Sequence, residues 1–402
     1  MNTVAIICEY NPFHNGHKYH IEQIRREFGE DTTVIGIMSG NFTQRGDVAI
    51  LDKAIRAKCA IDAGCNLVFE IPFPYSMSSA EFFASAGVSI ANSLGVVDVL
   101  SFGSECGNID QLEKYAEIML NPEFTSALSN FSETNAHDST GYAKACQIIC
   151  EKITGEKTDV LTPNNILAIE YIKALRKCGS SIKPHTVKRT GADFNDTGFV
   201  RGQYQSATAI REAISKNDIT ALEFVPDATK KNILDALNEG EFPCSIEKLS
   251  SAVISYFRLN PTPSKKIHDA EGGLYNRLAK ACGKANNISQ LVSLSQTKKY
   301  TTSRIRRAIL YSYFGVTSSE VKENPEYTQL LALDGIGRLK LKEIKKTGTV
   351  SVLTKPSDRK GLSERALKQK DIADKADSVF QLTKPVPKDG GYSLKFTPYV
   401  KN

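Results

Sequence analysis

Over 402 residues the chain has no run approaching the ~20 apolar residues that a bilayer-spanning helix needs. Its first apolar stretch, residues 4–8, stops at Glu9. Neither a membrane span nor a secretory signal is expected. No two of its nine cysteines form a CxxC pair, and their number is odd. That disfavours a disulfide framework and a thiolate zinc site, leaves no metal ligand set to name, and suits a cytoplasmic setting. Long blocks of single-sign charge and internal repeats are also missing, while 41% hydrophobic residues can build a real core. The net charge of +6 permits a polyanionic partner without requiring one.

What is present is an α/β pattern. β-rich runs at residues 4–8, 33–38, 67–71 and 97–102 alternate with helical spacing at 17–28, 53–63 and 79–94, as in a parallel sheet wrapped by helices. A helical stretch over 109–154, a helix at 164–178 and a fifth strand near 184–188 are expected to follow. From about residue 245 charged helices dominate, with a last α/β fragment at 330–353. The length exceeds what one core usually organises, so two segments are expected, 1–240 and 241–402, the second mainly helical and basic with a small α/β terminal part.

The most informative segment is Ile7-Cys8-Glu9-Tyr10-Asn11-Pro12-Phe13-His14-Asn15-Gly16-His17-Lys18-Tyr19-His20. It places HxGH directly after the first strand and at the entry to the first helix. A helix N-terminus offers unpaired N–H groups and about half a positive charge, which attract phosphate. Two imidazoles three residues apart share a face and can donate to phosphate oxygens as charge develops there. A surface helix cap is the bland alternative, and the position after strand one argues against it. Further along, Ser206-Ala207-Thr208-Ala209-Ile210-Arg211 puts hydroxyls at a helix cap and an arginine one turn in, a second place to hold phosphates.

These two motifs resemble the HIGH-motif nucleotidyltransferase superfamily, whose members react at the α-phosphate of ATP. Met38-Ser39-Gly40-Asn41-Phe42-Thr43-Gln44-Arg45-Gly46, Leu67-Val68-Phe69-Glu70-Ile71-Pro72, Phe102-Gly103-Ser104-Glu105 and Pro163-Asn164-Asn165-Ile166-Leu167 narrow the resemblance to the tRNA(Met) cytidine acetate ligases. The resemblance implies a Rossmann-like (HUP-type) nucleotidyltransferase domain followed by a mainly helical C-terminal domain. It implies ATP as substrate with Mg²⁺, acetate activated as acetyl-adenylate, and acetylation of the wobble cytidine of elongator tRNA(Met) to N4-acetylcytidine, with release of AMP and pyrophosphate. No protein partner is inferable.

Carried over residue by residue, the resemblance makes His14 and His17 catalytic. It gives ATP contacts to the whole run from Ile7 to His20, to Gly103, to Asn164 and Asn165, to Arg189 and Thr190, and to Ser206, Thr208 and Arg211. One asparagine of the 164–165 pair caps a helix and the other reaches the nucleotide; the sequence leaves open which. Gln44, Arg45, Lys53 and Arg56 form a second polar group suited to acetate or pyrophosphate, or else an exposed basic helix face. Glu70 and Glu105 are expected at the sheet's active edge. Lys298, Lys299, Tyr300, Arg304, Arg306 and Arg307 belong to a run with five basic residues and no acidic one, a candidate tRNA surface on which Tyr300 stacks on a base or packs inside. Asp138-Ser139-Thr140-Gly141-Tyr142, Ala168 and the tail beyond 385 depart from the family pattern. The competing reading is a small-molecule nucleotidyltransferase adenylating a mononucleotide or pantetheine-type acceptor; the basic helical segment speaks against it. A third is a nucleotide-binding regulator without turnover.

Overall fold

The structure is a computed structural model that describes residues 2–134, 142–189 and 205–401. Strand β1 (Thr3–Cys8) is buried along its whole length. It pairs in parallel with β2 (Thr33–Ser39), in register from Thr3 opposite Thr33 to Cys8 opposite Met38. Continuous β-branched runs of this kind are what a sheet covered on both faces requires. The short strands β3 (Phe42–Thr43) and β4 (Asp47–Val48) form a separate hairpin. Next come β5 (Leu67–Ile71), β6 (Val99–Ser104) and β7 (Lys183–Lys188), all parallel to their neighbours in the order β5-β2-β1-β6-β7. The order reverses between β1 and β6, and that switch point opens a crevice at the strands' carboxyl ends.

Helix α1 (Asn15–Phe28) follows β1 and α2 (Lys53–Asp62) follows the hairpin. Helix α3 (Ala80–Ser93) packs on the sheet's other face. Among the described residues the expected helical stretch at 109–154 comprises α4 (Ile109–Leu120), α5 (Pro122–Thr134) and α6 (Tyr142–Thr154), with Asn121 and Pro122 ending the first. Helix α7 (Pro163–Lys177) leads into β7, and α8 (Ala207–Ser215) and α9 (Asp227–Asn238) follow. The fourth strand lies two residues later than the alternation suggests.

Helices α10 (Ser250–Leu259), α11 (Leu274–Cys282), α12 (Ile288–Ser295) and α13 (Thr302–Phe314) build a helical body with its own core of Val253, Phe257, Leu278, Leu291 and Ile309. Phe42, Val48 and Phe73 join that core, so the hairpin is the joint between sheet and helical body. The chain then returns to the sheet. Strand β8 (Tyr327–Leu333) lies antiparallel to β5, β9 (Ser351–Leu353) adds to β8, and β10 (Tyr399–Val400) also pairs β8. The fragment expected as a small terminal unit therefore supplies strands to the main sheet, and residues on both sides of position 240 share it. Among the described residues no helix is long and apolar enough to cross a membrane.

Candidate active site

A cavity of about 270 Å³ occupies the switch point. It is walled by the end of β1, the first turns of α1, the end of β6, one face of α7, the end of β7 and the start of α8. Of the run from Ile7 to His20, the side chains on this wall are Ile7, Cys8, Glu9, Tyr10, His14, His17, Tyr19 and His20, with Gly16 as bare backbone. The rest hold the turn. Tyr10 takes a left-handed backbone (φ 48°), Phe13 is buried against its ring at 4.7 Å, and the carboxamide oxygen of Asn11 accepts from the Ile50 N–H at 2.9 Å. Pro12 is buried beside them, Asn15 opens α1 off the wall, and Lys18 faces solvent near Glu22.

His14 is the N-cap of α1, and with His17 it forms a reciprocal capping box. The Gly16 N–H donates to His14 Nδ1 at 3.1 Å, and the His14 N–H donates to His17 Nδ1 at 3.2 Å. Both Nδ1 atoms are thus acceptors, so each neutral ring carries its proton on Nε2. The rings stack at 3.7 Å. Burial, reinforced by Arg189 and Arg211, holds the His14 pKa down to about 3. Burial also pushes His17 well below its usual value, helped by His14 itself and Arg189. Two neutral Nε2–H donors at a helix N-terminus form a cradle for phosphate oxygens that costs no buried charge before the ligand arrives.

Arg211 reaches this cradle from α8: its guanidinium donates to the Asn11 carbonyl at 2.7 Å and to Thr208 Oγ1 at 3.1 Å. Ser206 caps α8 by accepting from the Ala209 N–H and lines the cavity. Thr208 orients the arginine and is off the wall. The two motifs expected to hold phosphates, separated by nearly two hundred positions, meet at the Asn11 carbonyl.

The 164–165 ambiguity resolves by helix rotation. Asn165 is buried: its oxygen accepts from the N–H groups of Glu105 and Cys106, and its amide donates to the Val160 carbonyl at 2.7 Å. Asn164 faces the cavity, with its amide donating to Glu105 Oε1 at 2.6 Å. Thr162, not either asparagine, is the N-cap residue. Glu105 Oε2 is buried and has no hydrogen-bond partner. At Gly103 a Cβ would come within 3.2 Å of the Arg189 side chain, so glycine keeps the cavity mouth open beside that arginine. Thr190 lies outside the described residues, as do positions 138–141.

The second polar group divides. Gln44 donates its N–H to Glu9 Oε1 at 2.9 Å and Arg45 is exposed beside it, both near the cavity. Lys53 and Arg56 form neither an exposed basic face nor an anion site. Lys53 is buried, with its ammonium 2.7 Å from Glu70 Oε1 and 2.5 Å from Asp377 Oδ2. Arg56 is fully buried and donates to the carbonyls of Leu51, Glu9, Ser39 and Gly40. Glu70, expected at the active edge, is neutralised by Lys53 inside the protein. Each polar group here satisfies another, so none is left for a ligand.

The basic run opens α13. Lys298 and Lys299 are exposed. Tyr300 packs inside and donates to the Gly272 carbonyl at 2.5 Å. Arg307 is buried on Asp269 at 2.6 Å, Arg304 is half-buried over the same aspartate's backbone, and Arg306 pairs with Asp47 of the hairpin at 2.7 Å. Gly46, with φ 74°, brings the hairpin tip so close that a Cβ would sit 2.5 Å from the Arg307 nitrogen. Tyr300, Arg304 and Arg307 are thus tied within the helical body, while Arg306, with Arg307 also donating to the Gln44 carbonyl at 3.4 Å, ties α13 to the hairpin. The apolar floor of Phe102, Leu167, Tyr171 and Val187 was not singled out by sequence reasoning. The i, i+4 spacing of Leu167 and Tyr171 on one helix face is the signal that could have found half of it.

A family model described as HIGH Nucleotidyl Transferase matches residues 1–391. A tRNA(Met) cytidine acetate ligase of Thermoanaerobacter sp. (strain X514) is 39% identical over 381 residues, which cover 92% of this chain and 93% of the relative. One of Clostridium perfringens is 37% identical over 397 residues, 96% of each. Among solved structures, Thermotoga maritima TmcAL in its apo form superposes with a TM-score of 0.91 at 29% identity, covering 100% of this chain and 99% of that one. The same protein bound with alpha-thio ATP gives 0.89 at 28% identity, again over 100% and 99%. With a HxGH capping box at the switch point of a Rossmann-like sheet and relatives of one kind along nearly its whole length, the chain belongs to the tRNA(Met) cytidine acetate ligase family of HIGH-motif nucleotidyltransferases.

Proposed function

We propose that this protein condenses acetate with ATP to acetyl-adenylate and pyrophosphate, then transfers the acetyl group to the exocyclic amine of the wobble cytidine in elongator tRNA(Met). The observation that carries this reading is the pair of neutral imidazoles at the N-terminus of α1, both with Nε2–H free to donate, on the wall of the cavity. Acetate oxygen attacks the α-phosphate and the P–O bond to pyrophosphate breaks. His14 and His17 stabilise the charge gathered on the phosphoryl oxygens, as an oxyanion cradle does. Arg211 balances the outgoing pyrophosphate, and the remaining catalysis is positioning. In the second step the cytidine amine attacks the acetyl carbonyl and AMP leaves; the base must be splayed from its loop to reach the cavity.

Magnesium fits the donor set in one respect: it needs few protein ligands when phosphates supply the rest, and Glu105 Oε2 is an orphaned carboxylate oxygen on the wall. Glu105 and Glu9 are the residues that would hold it, and when bound it would neutralise phosphate charge. Lys298 and Lys299 of the basic run are exposed cations suited to the tRNA backbone. Cytoplasmic tRNA is the pool such a reaction draws on. A small-molecule acceptor would need neither these cations nor the helical body.

The test is incubation with ATP, Mg²⁺, labelled acetate and unmodified tRNA(Met), followed by nucleoside mass analysis. ATP-dependent N4-acetylcytidine is expected. Pyrophosphate release without label in RNA would overturn the acceptor, and no acetate-dependent pyrophosphate exchange would overturn the activation step.

A further inference from the structure

His20, one turn beyond His17, lines the cavity but plays no part in the phosphate cradle. Its Nε2 lies 2.8 Å from Ser101 Oγ, on the buried face of β6. Ser101 Oγ is also 3.0 Å from His185 Nδ1 on β7, and His185 Nε2 is 2.9 Å from Glu27 Oε2 near the end of α1. These four groups form one unbranched hydrogen-bonded chain from the cavity wall to solvent: the Ser101 side chain is sealed, while Glu27 is 58% exposed. The Phe28 ring meets His185 edge-on at 5.1 Å and fixes its orientation.

The chain has a direction, and the carboxylate at its outer end sets it. An ionised carboxylate only accepts, so a neutral His185 must carry its proton on Nε2 and leave Nδ1 as an acceptor. The Ser101 hydroxyl must then donate to His185 Nδ1, which leaves its oxygen to accept from His20. His20 is thereby held as the Nε2–H tautomer. Its Nδ1, which has no partner among the described residues, keeps a lone pair.

We propose that Ser101, His185 and Glu27 act as positioning residues that lock His20 in this tautomer, so that its Nδ1 accepts a hydrogen bond from the nucleoside part of ATP. The inference rests on the ATP reading above and deepens it. A phosphate is not the ligand of this atom, because ionised phosphate oxygens offer no proton to a lone pair. Three residues further along α1 also means ~4.5 Å deeper than His17, past the helix end that holds the phosphates. What remains on the nucleotide is a donor: the exocyclic amine of the base or a ribose hydroxyl. His14 and His17 present donors and His20 presents an acceptor, so one helix face reads the two chemical ends of the ligand.

The experiment has two parts. Long-range ¹H–¹⁵N spectra of the full chain read the tautomer of each of its six histidines, at a pH of about 8 where free imidazole is neutral. Acetate-dependent ATP–pyrophosphate exchange then compares ATP with ITP, 2′-deoxyATP and 3′-deoxyATP in the wild type, in Ser101→Ala and in surface Glu27→Gln, whose amide can accept or donate. The expected result is His20 with its proton on Nε2, and about tenfold weaker KM for whichever analogue lacks the donor, as loss of one hydrogen bond gives. Loss with ITP assigns the base amine, and loss with a deoxynucleotide assigns the ribose. In both variants His20 should become a tautomer mixture and the discrimination should shrink several-fold in KM rather than in kcat. A wild-type His20 protonated on Nδ1, equal use of all four nucleotides, or unchanged discrimination in both variants would overturn the proposal. Absence of exchange with any nucleotide would instead sink the ATP reading, while the spectra would still decide the tautomer.

Discussion

Replacing Lys53 with methionine should destabilise the protein severely without touching the chemistry of the site. The ammonium sits between Glu70 and Asp377, whose side chains are 5% and 8% exposed. Asp377 keeps one other bond, from the Asn41 amide at 2.9 Å, whereas Glu70 Oε1 loses its ion-pair partner. Methionine fills similar volume, so the cost is that of two carboxylates left buried without a cation, about 3–5 kcal/mol. With an unfolding entropy of ~2.1 cal/mol/K per residue over the whole chain, that is a drop of roughly 5 °C in Tm if the chain unfolds as one unit.

The sign with pH is specific. Burial already raises the Glu70 pKa, and Asp377 adds to that while Lys53 opposes it. Without the lysine the buried Glu70 carboxyl takes up a proton more readily folded than unfolded, so the variant's deficit should narrow as pH falls from 7 toward about 5. Thermal and urea unfolding of Lys53→Met, and of the same variant carrying Glu70→Gln and Asp377→Asn, are the assays. The neutralised triple variant should recover most of the loss. A single variant within about 1 kcal/mol of wild type, or a triple variant no better than the single, would refute the reasoning. A selective fall in kcat with stability intact would restore Lys53 as a substrate-binding residue.

Asn164→Ala should raise the KM for ATP with little change in stability, whereas Asn165→Ala should cost about 2 kcal/mol by stranding the N–H groups of Glu105 and Cys106; parallel kinetics and denaturation separate the two. The depressed histidines predict acid sensitivity. His14 and His17 stay neutral when folded and protonate when unfolded below about pH 6.5, so each should remove about 1.4 kcal/mol of stability per pH unit below that value until the folded group titrates. Saturating ATP, whose phosphates favour protonated imidazole, should flatten this slope in thermal scans at graded pH.

The HxGH site was legible because all it needs is local: a strand, a tight turn and a helix start. The parallel strands were legible for the same reason, as short apolar runs between turns. What the sequence did not disclose depends on partners far along the chain. Lys53 and Arg56 have the spacing of an exposed helix face, yet the counter-charge that buries Lys53 is Asp377, 324 positions away. Which asparagine of the pair faces the cavity depends on the rotation of α7 against the end of β6. Tyr300 carried both readings until the Gly272 carbonyl was placed beneath it. The chain from His20 to Glu27 starts and ends on α1, seven residues apart, but passes through Ser101 of β6 and His185 of β7, and no local spacing ties those strands to the helix.

The antiparallel seating of β8 against β5 bears on how the protein is made. Thr328 donates its hydroxyl to the Glu70 carbonyl across 258 positions. At ~5–20 residues per second a ribosome takes roughly 13–50 s to bring the first strand to the second. Throughout that interval the edge of β5 is an open row of backbone donors and acceptors on a nascent sheet. The ATP crevice lies on the far side of β2 and can close earlier, so a half-made chain holds its nucleotide pocket while its sheet still lacks a border. Newly synthesised copies are therefore most exposed to mispairing with one another late in translation, after the chemistry's scaffold has formed.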